Sequence, residues 1–386
     1  MTPDVIIIGS GMGGATLAAA LAPTGRRILI LERGERLPDT PEARDPVAIF
    51  ARGHYRPDEF WLDGAGAPFN PGNYYVAGGN SKFYGAVLIR YRAEDFTPLH
   101  HMGGTTPGWP MTYNQMEPHY QAAENMYQVR GVLGQDPTEP AHSGDYNFPP
   151  VPDEPAIADL RRRMQSVGLH PSSLPLGVDI AAWLKGGQTP WDAFPGITDG
   201  KMDAETVGLA YALQHSNVTL QTNSRVLRLI AGEGGKITGV EVQRAGRREV
   251  LAAPIIVLCA GAVQTAALLL ASADAANPTG LANRSDQVGR NFMNHNLSAV
   301  LAMHPFRRNP SVYQKTIQIN DFYLSGGPHG EPLGNIQLLG KISGPILASD
   351  TPIPLPIARW IANRSVDLLA MSEDLPNPDS RVTLKN

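Results

Sequence analysis

The chain has 386 residues, a formal net charge of −4, 42% hydrophobic and 18% charged residues, ordinary values for a globular chain long enough for two domains. No basic stripe with interleaved aromatics occurs, which sets a nucleic-acid partner aside. The single cysteine, Cys259, excludes an internal disulfide and a cysteine-built metal site, and a cytosolic setting is the default expectation.

No residue from Val5 to Gly25 is charged. Asp4 precedes this run where a signal peptide needs positive charge, and glycines interrupt it, so neither a leader nor a membrane span is expected. "VIII" has strand composition and "ATLAAALA" is a strong helix former. Between them Gly9, Gly11 and Gly14 fit G-x-G-x-x-G, with Ser10, Met12 and Gly13 in the gaps. In such a turn the first glycine allows the tight bend, the second lets a pyrophosphate approach the backbone, and the third lets helix and strand pack closely. The helix N-terminus adds free N–H groups for the phosphates. A second strand, "RRILILERG", ends in Glu32, 18 residues past Gly14 and near the roughly 20-residue spacing of an acid that takes ribose hydroxyls. Arg33 follows, but the carboxylate argues against a 2′-phosphate. NAD and FAD both remain open at this point.

Residues 38–75 read as loop and short helix. "YYVAGGNSKFYGAVLIRYRAEDF" then places the pair Gly78–Gly79 ahead of a small polar loop. Residues 112–128 read as an amphipathic helix with a Thr112/Gln115 capping box. Residues 131–200 are punctuated by proline and glycine, and a helix is expected at about 203–215. "NVTLQTNSRVLRLIA", "ITGVEVQ" and "REVLAAPIIVLCAGA" read as a three-strand meander. Its last part is apolar throughout, like a strand buried in a parallel sheet. Gly261 then sits on a second strand-to-helix turn. Beyond Asn291 the pattern turns to antiparallel strands, and "NPDSRVTLKN" reads as an interrupted hairpin. "IPLPIARWIANRSVDLLA" is broken by proline and charge and does not span a membrane.

Five ordered segments resemble the glucose–methanol–choline (GMC) flavoprotein oxidoreductases: the fingerprint with Glu32, "GGNSKFYGAVLIR", "NVTLQTNSRVLRLI", "IIVLCAGAVQTAALLLAS" and "QVGRNFMNHN". "GWPMTYNQMEPHYQAAE" looks like the bacterial branch that holds sugar and sugar-acid dehydrogenases and pyranose oxidase. The resemblance implies an α/β fold. A Rossmann-like FAD-binding domain would cover residues 1–295, with an excursion at about 100–200. A second α+β substrate domain, 296–386, would be built on an antiparallel sheet and incomplete at its C-terminus.

The resemblance also implies FAD. Residues Gly9–Gly14 and Glu32–Arg33 would take the pyrophosphate and ribose, the Val226 backbone would face adenine, and Ala260–Gly261 would close over the pyrophosphate. Gly78, Gly79, Asn80, Ser81, Tyr84 and Gly85 would run along the isoalloxazine, where fixed N–H donors tune a ring that gains negative charge on reduction. Phe83 occupies the place where some relatives carry a flavin-linked histidine, so the expected FAD is non-covalent. Tyr84 replaces an asparagine common in the family.

His100 and His101 adjoin in a loop and suit no shared metal. His295 reads as structural, and Cys259 as a core residue of its strand. No residue is assigned as the catalytic base. The expected activity is FAD-dependent oxidation of CH–OH to C=O, hydride passing to flavin N5, with a sugar or polyol as substrate and the electron acceptor undetermined. The rival reading is a non-catalytic flavin-binding fragment without the family's C-terminal histidine segment, which alone would be poorly soluble and inactive. An NAD-dependent dehydrogenase ranks third.

Overall fold

A computed structural model describes residues 2–385. Strand β1 (Val5–Ile8) is buried along its whole length, because it lies between two parallel neighbours. Those neighbours are β2 (Ile28–Leu31) and the strand Ile255–Leu258, and Val218–Gln221 completes a four-stranded parallel sheet. Helix α1 (Met12–Leu21) links β1 to β2. It packs Ala15 and Ala18, with Ala22 just past its end, against Val5, Ile7, Ile28 and Ile30, and Ala204, Leu209 and Ala212 close the far side. The expected strand, turn, helix and strand over residues 4–34 is therefore present.

The expected meander is partly corrected. "NVTLQTNSRVLRLIA" splits at Asn223, whose φ of +51° turns the chain. Val218–Gln221 joins the parallel sheet, and Arg225–Ala231 begins an antiparallel one with Ile237–Arg244 and Arg247–Ala252. The third segment splits likewise around Pro254, which has no N–H to continue a ladder. Ile255–Leu258 then returns to the parallel sheet and leads through Gly261 into the helix Ala262–Ala271.

A separate five-stranded antiparallel sheet runs in the order Asn296–Met303, Ser365–Ser372, Asn335–Leu338, Ile317–Ile319 and Pro171–Ser173. Its last strand comes from the proline-rich excursion, far away in sequence. The hairpin expected at the C-terminus does not form. The chain turns at residues 378–380 and then runs beside residues 289–292, with Phe292 N–H donating to Ser380 O and Val382 N–H to Gly289 O, both at 2.8 Å. The tail pairs with an earlier loop rather than with itself.

The helix Tyr113–Met126 opens on the Thr112/Gln115 capping box. Its inner face is tied to the chain by a charge network. Arg90 donates to both carboxylate oxygens of buried Glu124 (2.7 and 2.6 Å), to Glu117 (3.0 Å) and to the Tyr113 hydroxyl (3.1 Å).

Candidate cofactor and active site

Gly9 and Gly14 are glycines for different physical reasons. Gly9 has φ +98°, and a Cβ there would stand 2.4 Å from the Cys259 carbonyl oxygen. Gly14 is helical, but a Cβ would stand 2.0 Å from the Gly9 carbonyl oxygen, so only glycine lets α1 pack onto the turn. Around Gly11, by contrast, the space is open. The N-cap of α1 is Gly11, with no side-chain cap and no acid in the first turn, which leaves the first N–H groups free for an anion.

Glu32 is 6% exposed and faces this turn. Its Oε2 accepts from the Ser10 N–H (3.1 Å) and hydroxyl (2.6 Å), and its Oε1 accepts from the Gly34 N–H (2.9 Å). The Ser10 hydroxyl oxygen also accepts from the Gly78 N–H at 3.1 Å. The fingerprint turn and the glycine-pair loop are thus joined through one serine. Gly78 and Gly79 both take positive φ (+86° and +57°), which brings the short helix Gly79–Lys82 over Gly11.

Together these elements line one cleft of about 900 Å³ at the carboxyl end of the parallel sheet. That is within the roughly 300–1,000 Å³ typical of organic-ligand sites. Gly9–Gly13, Glu32, Arg33, Gly78–Ser81, Val226, Ala260 and Gly261 all line it. Gly14, Tyr84 and Gly85 do not. Gly14 supports the turn from behind. Tyr84 turns its ring away and donates its hydroxyl to Met202 O, and Gly85 lies against Lys315 and Asp192. The loop curls after Lys82, so its second half faces the protein interior.

Sequence reading missed Tyr74, Tyr75, Arg225, Gln264 and Leu384, which also line the cleft. The adjoining tyrosines ahead of the glycine pair were the available signal. Tyr75 donates to Glu59 at 2.5 Å, Arg33 donates to the same carboxylate at 2.9 Å, and the Arg33 guanidinium lies 3.5 Å from the Tyr75 ring centroid. Cys259, read as core, packs in the core and lines the cleft as well, and partial burial pushes its thiol up. Among the described residues no histidine lines the cleft. His295 is exposed. His100 and His101 bond to Thr105 and Thr106 within their own hairpin.

Behind the loop lies a fully buried lysine. Lys201 donates to the carbonyl oxygens of Phe194 (2.6 Å), Tyr84 (3.1 Å) and Lys82 (3.2 Å). Lys82, also buried, pairs with Glu205 (2.8 Å) and Asp203 (3.2 Å). Burial brings the Lys201 ammonium down to about 7.

A family model described as GMC oxidoreductase matches residues 193–297, and one described as an NAD(P)-binding Rossmann-like domain matches residues 7–46. The paromamine 6′-oxidase of Streptomyces fradiae is 30% identical over 99% of this chain and 70% of its own length. The chain belongs to the GMC oxidoreductase family. The 6‴-hydroxyparomomycin C oxidase of Streptomyces lividus is 32% identical over 74% of this chain and 53% of its own length. The 2-methyl-1,2-propanediol dehydrogenase of Mycolicibacterium austroafricanum is 27% identical over 78% and 56%. The chain therefore spans between about half and seven tenths of these relatives. Among solved structures, the pyridoxine 4-oxidase from Mesorbium loti matches 96% of this chain and 71% of its own at 21% identity, with a TM-score of 0.65.

The cofactor of this family is FAD, and the cleft fits it. The uncapped helix start offers N–H groups for a pyrophosphate, a buried carboxylate stands where a ribose needs an acceptor, and the open space at Gly11 admits the backbone approach that a Cβ would block.

Proposed function

We propose that this protein is an FAD-dependent oxidoreductase acting on the CH–OH group of a sugar- or polyol-like alcohol. The observation that carries the reading is the single cleft joining the fingerprint turn, Glu32 and the Gly78–Ser81 loop. Bound there, the flavin would supply the hydride acceptor for an alcohol carbon that becomes a carbonyl.

The chain's own part is binding and alignment. The N–H groups of Gly11–Gly13 take the pyrophosphate, Glu32 the adenosine ribose, and the Val226 backbone the adenine edge. Gly78–Ser81 would lie along the flavin ring and hold it, so that positioning would supply much of the rate. Arg33 is held by Glu59 and stacked on Tyr75, which withholds it from a 2′-phosphate and favours FAD over NADP. The alcohol class is supported by the relatives named above, two of which are named for oxidising amino sugars.

The test is a visible spectrum of the purified protein, followed by dye reduction with a panel of sugars, polyols and amino sugars. Flavin bands that bleach anaerobically with one of these alcohols are expected. A colourless protein that reduces NAD with an alcohol would overturn the reading.

A further inference from the structure

A second cleft, of about 510 Å³, opens where the hairpin Leu99–His101/Gly104–Thr106 meets the ends of strands Asn296–Met303 and Ser365–Ser372. Three aromatic rings and three carboxylates shape it: Tyr91, Trp109 and Tyr323 with Asp95, Glu373 and Asp374. Tyr91 and Trp109 are 53% and 52% exposed, with ring centroids 6.2 Å apart and planes tilted by 43°, so they present an open, angled aromatic platform. Trp109 is backed by buried Phe96, with ring centroids 5.8 Å apart.

The charge of this cleft is one-sided. Asp95 uses Oδ2 for the Tyr323 hydroxyl (2.9 Å) and the Arg92 N–H (2.7 Å), and its Oδ1 makes no hydrogen bond among the described residues. Asp374 uses Oδ2 for the Asn294 N–H at 3.0 Å. The Glu373 carboxylate has no hydrogen-bond or ion-pair partner among the described residues. Among the described residues no lysine or arginine lines the cleft, and the histidine that does, His101, is engaged by the Thr106 hydroxyl at 3.2 Å. The nearby Arg92 is buried and pairs with Asp136, so its charge is already matched. Burial first, and then Glu373 and Asp95, push the Tyr91 hydroxyl up, and burial also pushes the Asp95 carboxyl up.

We propose that this cleft is a binding site for an amino sugar, a polyhydroxylated ring carrying ammonium groups. A sugar ring lays its C–H face on the Tyr91–Trp109 platform. Its ammonium meets Glu373 and the free oxygen of Asp95, and the aromatic faces add cation–π attraction. Its hydroxyls find acceptors in Asp374 and in the Tyr323 hydroxyl oxygen, whose own proton is held by Asp95. A neutral sugar would use the platform but leave the carboxylates unmatched, and a bare polyamine would do the reverse. The proposal rests on the sugar reading above for the ring. The preference for a cation comes from the cleft itself.

The experiment is isothermal titration calorimetry on the full chain with three probes: paromamine, methyl glucoside and spermidine. Paromamine should bind at least about tenfold more tightly than either of the others. Glu373→Gln should remove most of that preference, and Trp109→Ala should weaken both sugars; both positions are exposed, and circular dichroism confirms that the variants fold. Equal binding of paromamine and methyl glucoside would sink the charge argument. Spermidine binding as tight as paromamine would sink the sugar assignment, and an unaltered Glu373→Gln titration would place the ligand elsewhere. None of these outcomes depends on turnover, so a failure of the oxidoreductase reading in the dye assay remains distinguishable from a failure here.

Discussion

Ser10 donates both its backbone N–H and its hydroxyl to the same carboxylate oxygen of Glu32, while its hydroxyl oxygen receives the Gly78 N–H. One side chain therefore sets the distance between the fingerprint turn, the acid at the end of β2 and the loop assigned to the flavin ring. The acid is pre-oriented, so that in the proposed cofactor site a ribose hydroxyl would meet it without a conformational search.

Glu32→Ala should weaken FAD binding about ten- to a hundredfold. Hydrogen bonds to a charged group contribute about 1.5–3 kcal/mol, and each 1.4 kcal/mol is about tenfold in Kd. Ser10→Ala keeps the carboxylate and should cost less. Flavin fluorescence quenching on titration into the apoprotein measures both. An unchanged Kd for Glu32→Ala would remove Glu32 from the ribose site.

The nucleotide half of the site was legible because its signals are local. Glycine spacing, a β-branched run before it and an acid 18 residues after it all lie within residues 5–32. What stayed hidden depends on contacts across the chain. Nothing near Arg90 announces that it will hold Glu117 and Glu124 on a helix some thirty residues later. Arg33 lines the cleft as expected, but nothing near it in sequence announces that Glu59 and Tyr75 will hold its guanidinium. The resemblance sets Tyr84 and Gly85 on the flavin edge, yet the loop turns inward after Lys82 and half-buries Tyr84 beside Met202. The meander was misread because a strand period does not reveal that Asn223 and Pro254 divide two runs between different sheets.

Two neighbouring glycines should behave oppositely. Gly14→Ala forces a Cβ to 2.0 Å from the Gly9 carbonyl oxygen, a backbone atom that cannot rotate away. It should cost about 1–3 kcal/mol or more of stability. Gly13→Ala meets nothing closer than the Cys259 sulfur at 4.0 Å and lies in the helix, so it should be neutral or gain up to about 1 kcal/mol. Urea denaturation followed by circular dichroism ranks them. A Gly14→Ala protein as stable as wild type would mean that α1 sits farther from the turn.

FAD should leave the protein on acid precipitation. Phe83 is buried and stacked on Tyr74 with ring centroids 3.7 Å apart, and a phenyl ring has no nucleophile for a flavin bond. The yellow colour should remain in the supernatant. Colour in the pellet would identify a covalent link at another residue.

Lys201 should make stability rise with pH. Its ammonium titrates at about 7 in the folded chain, against an ordinary 10.5, because burial outweighs the attraction of Asp203 and Asp192, while Lys82 and Arg44 oppose the charge further. Between those values the unfolded chain holds a proton that the folded chain has released. The unfolded state therefore binds more protons, and stability increases with pH across that window. Below pH 7 both states are protonated and the dependence disappears. Lys201→Met removes the titration and leaves the carbonyls of Lys82, Tyr84 and Phe194 without their donor, so it should melt lower at every pH. The decisive reading is the slope. From pH 7 to 9.5 the melting temperature of Lys201→Met should climb less than that of wild type, widening the gap between them. Parallel curves would show that Lys201 keeps an ordinary proton affinity despite its burial, and that the loop carrying Gly78–Ser81 is held over the cleft by a charged staple at every pH.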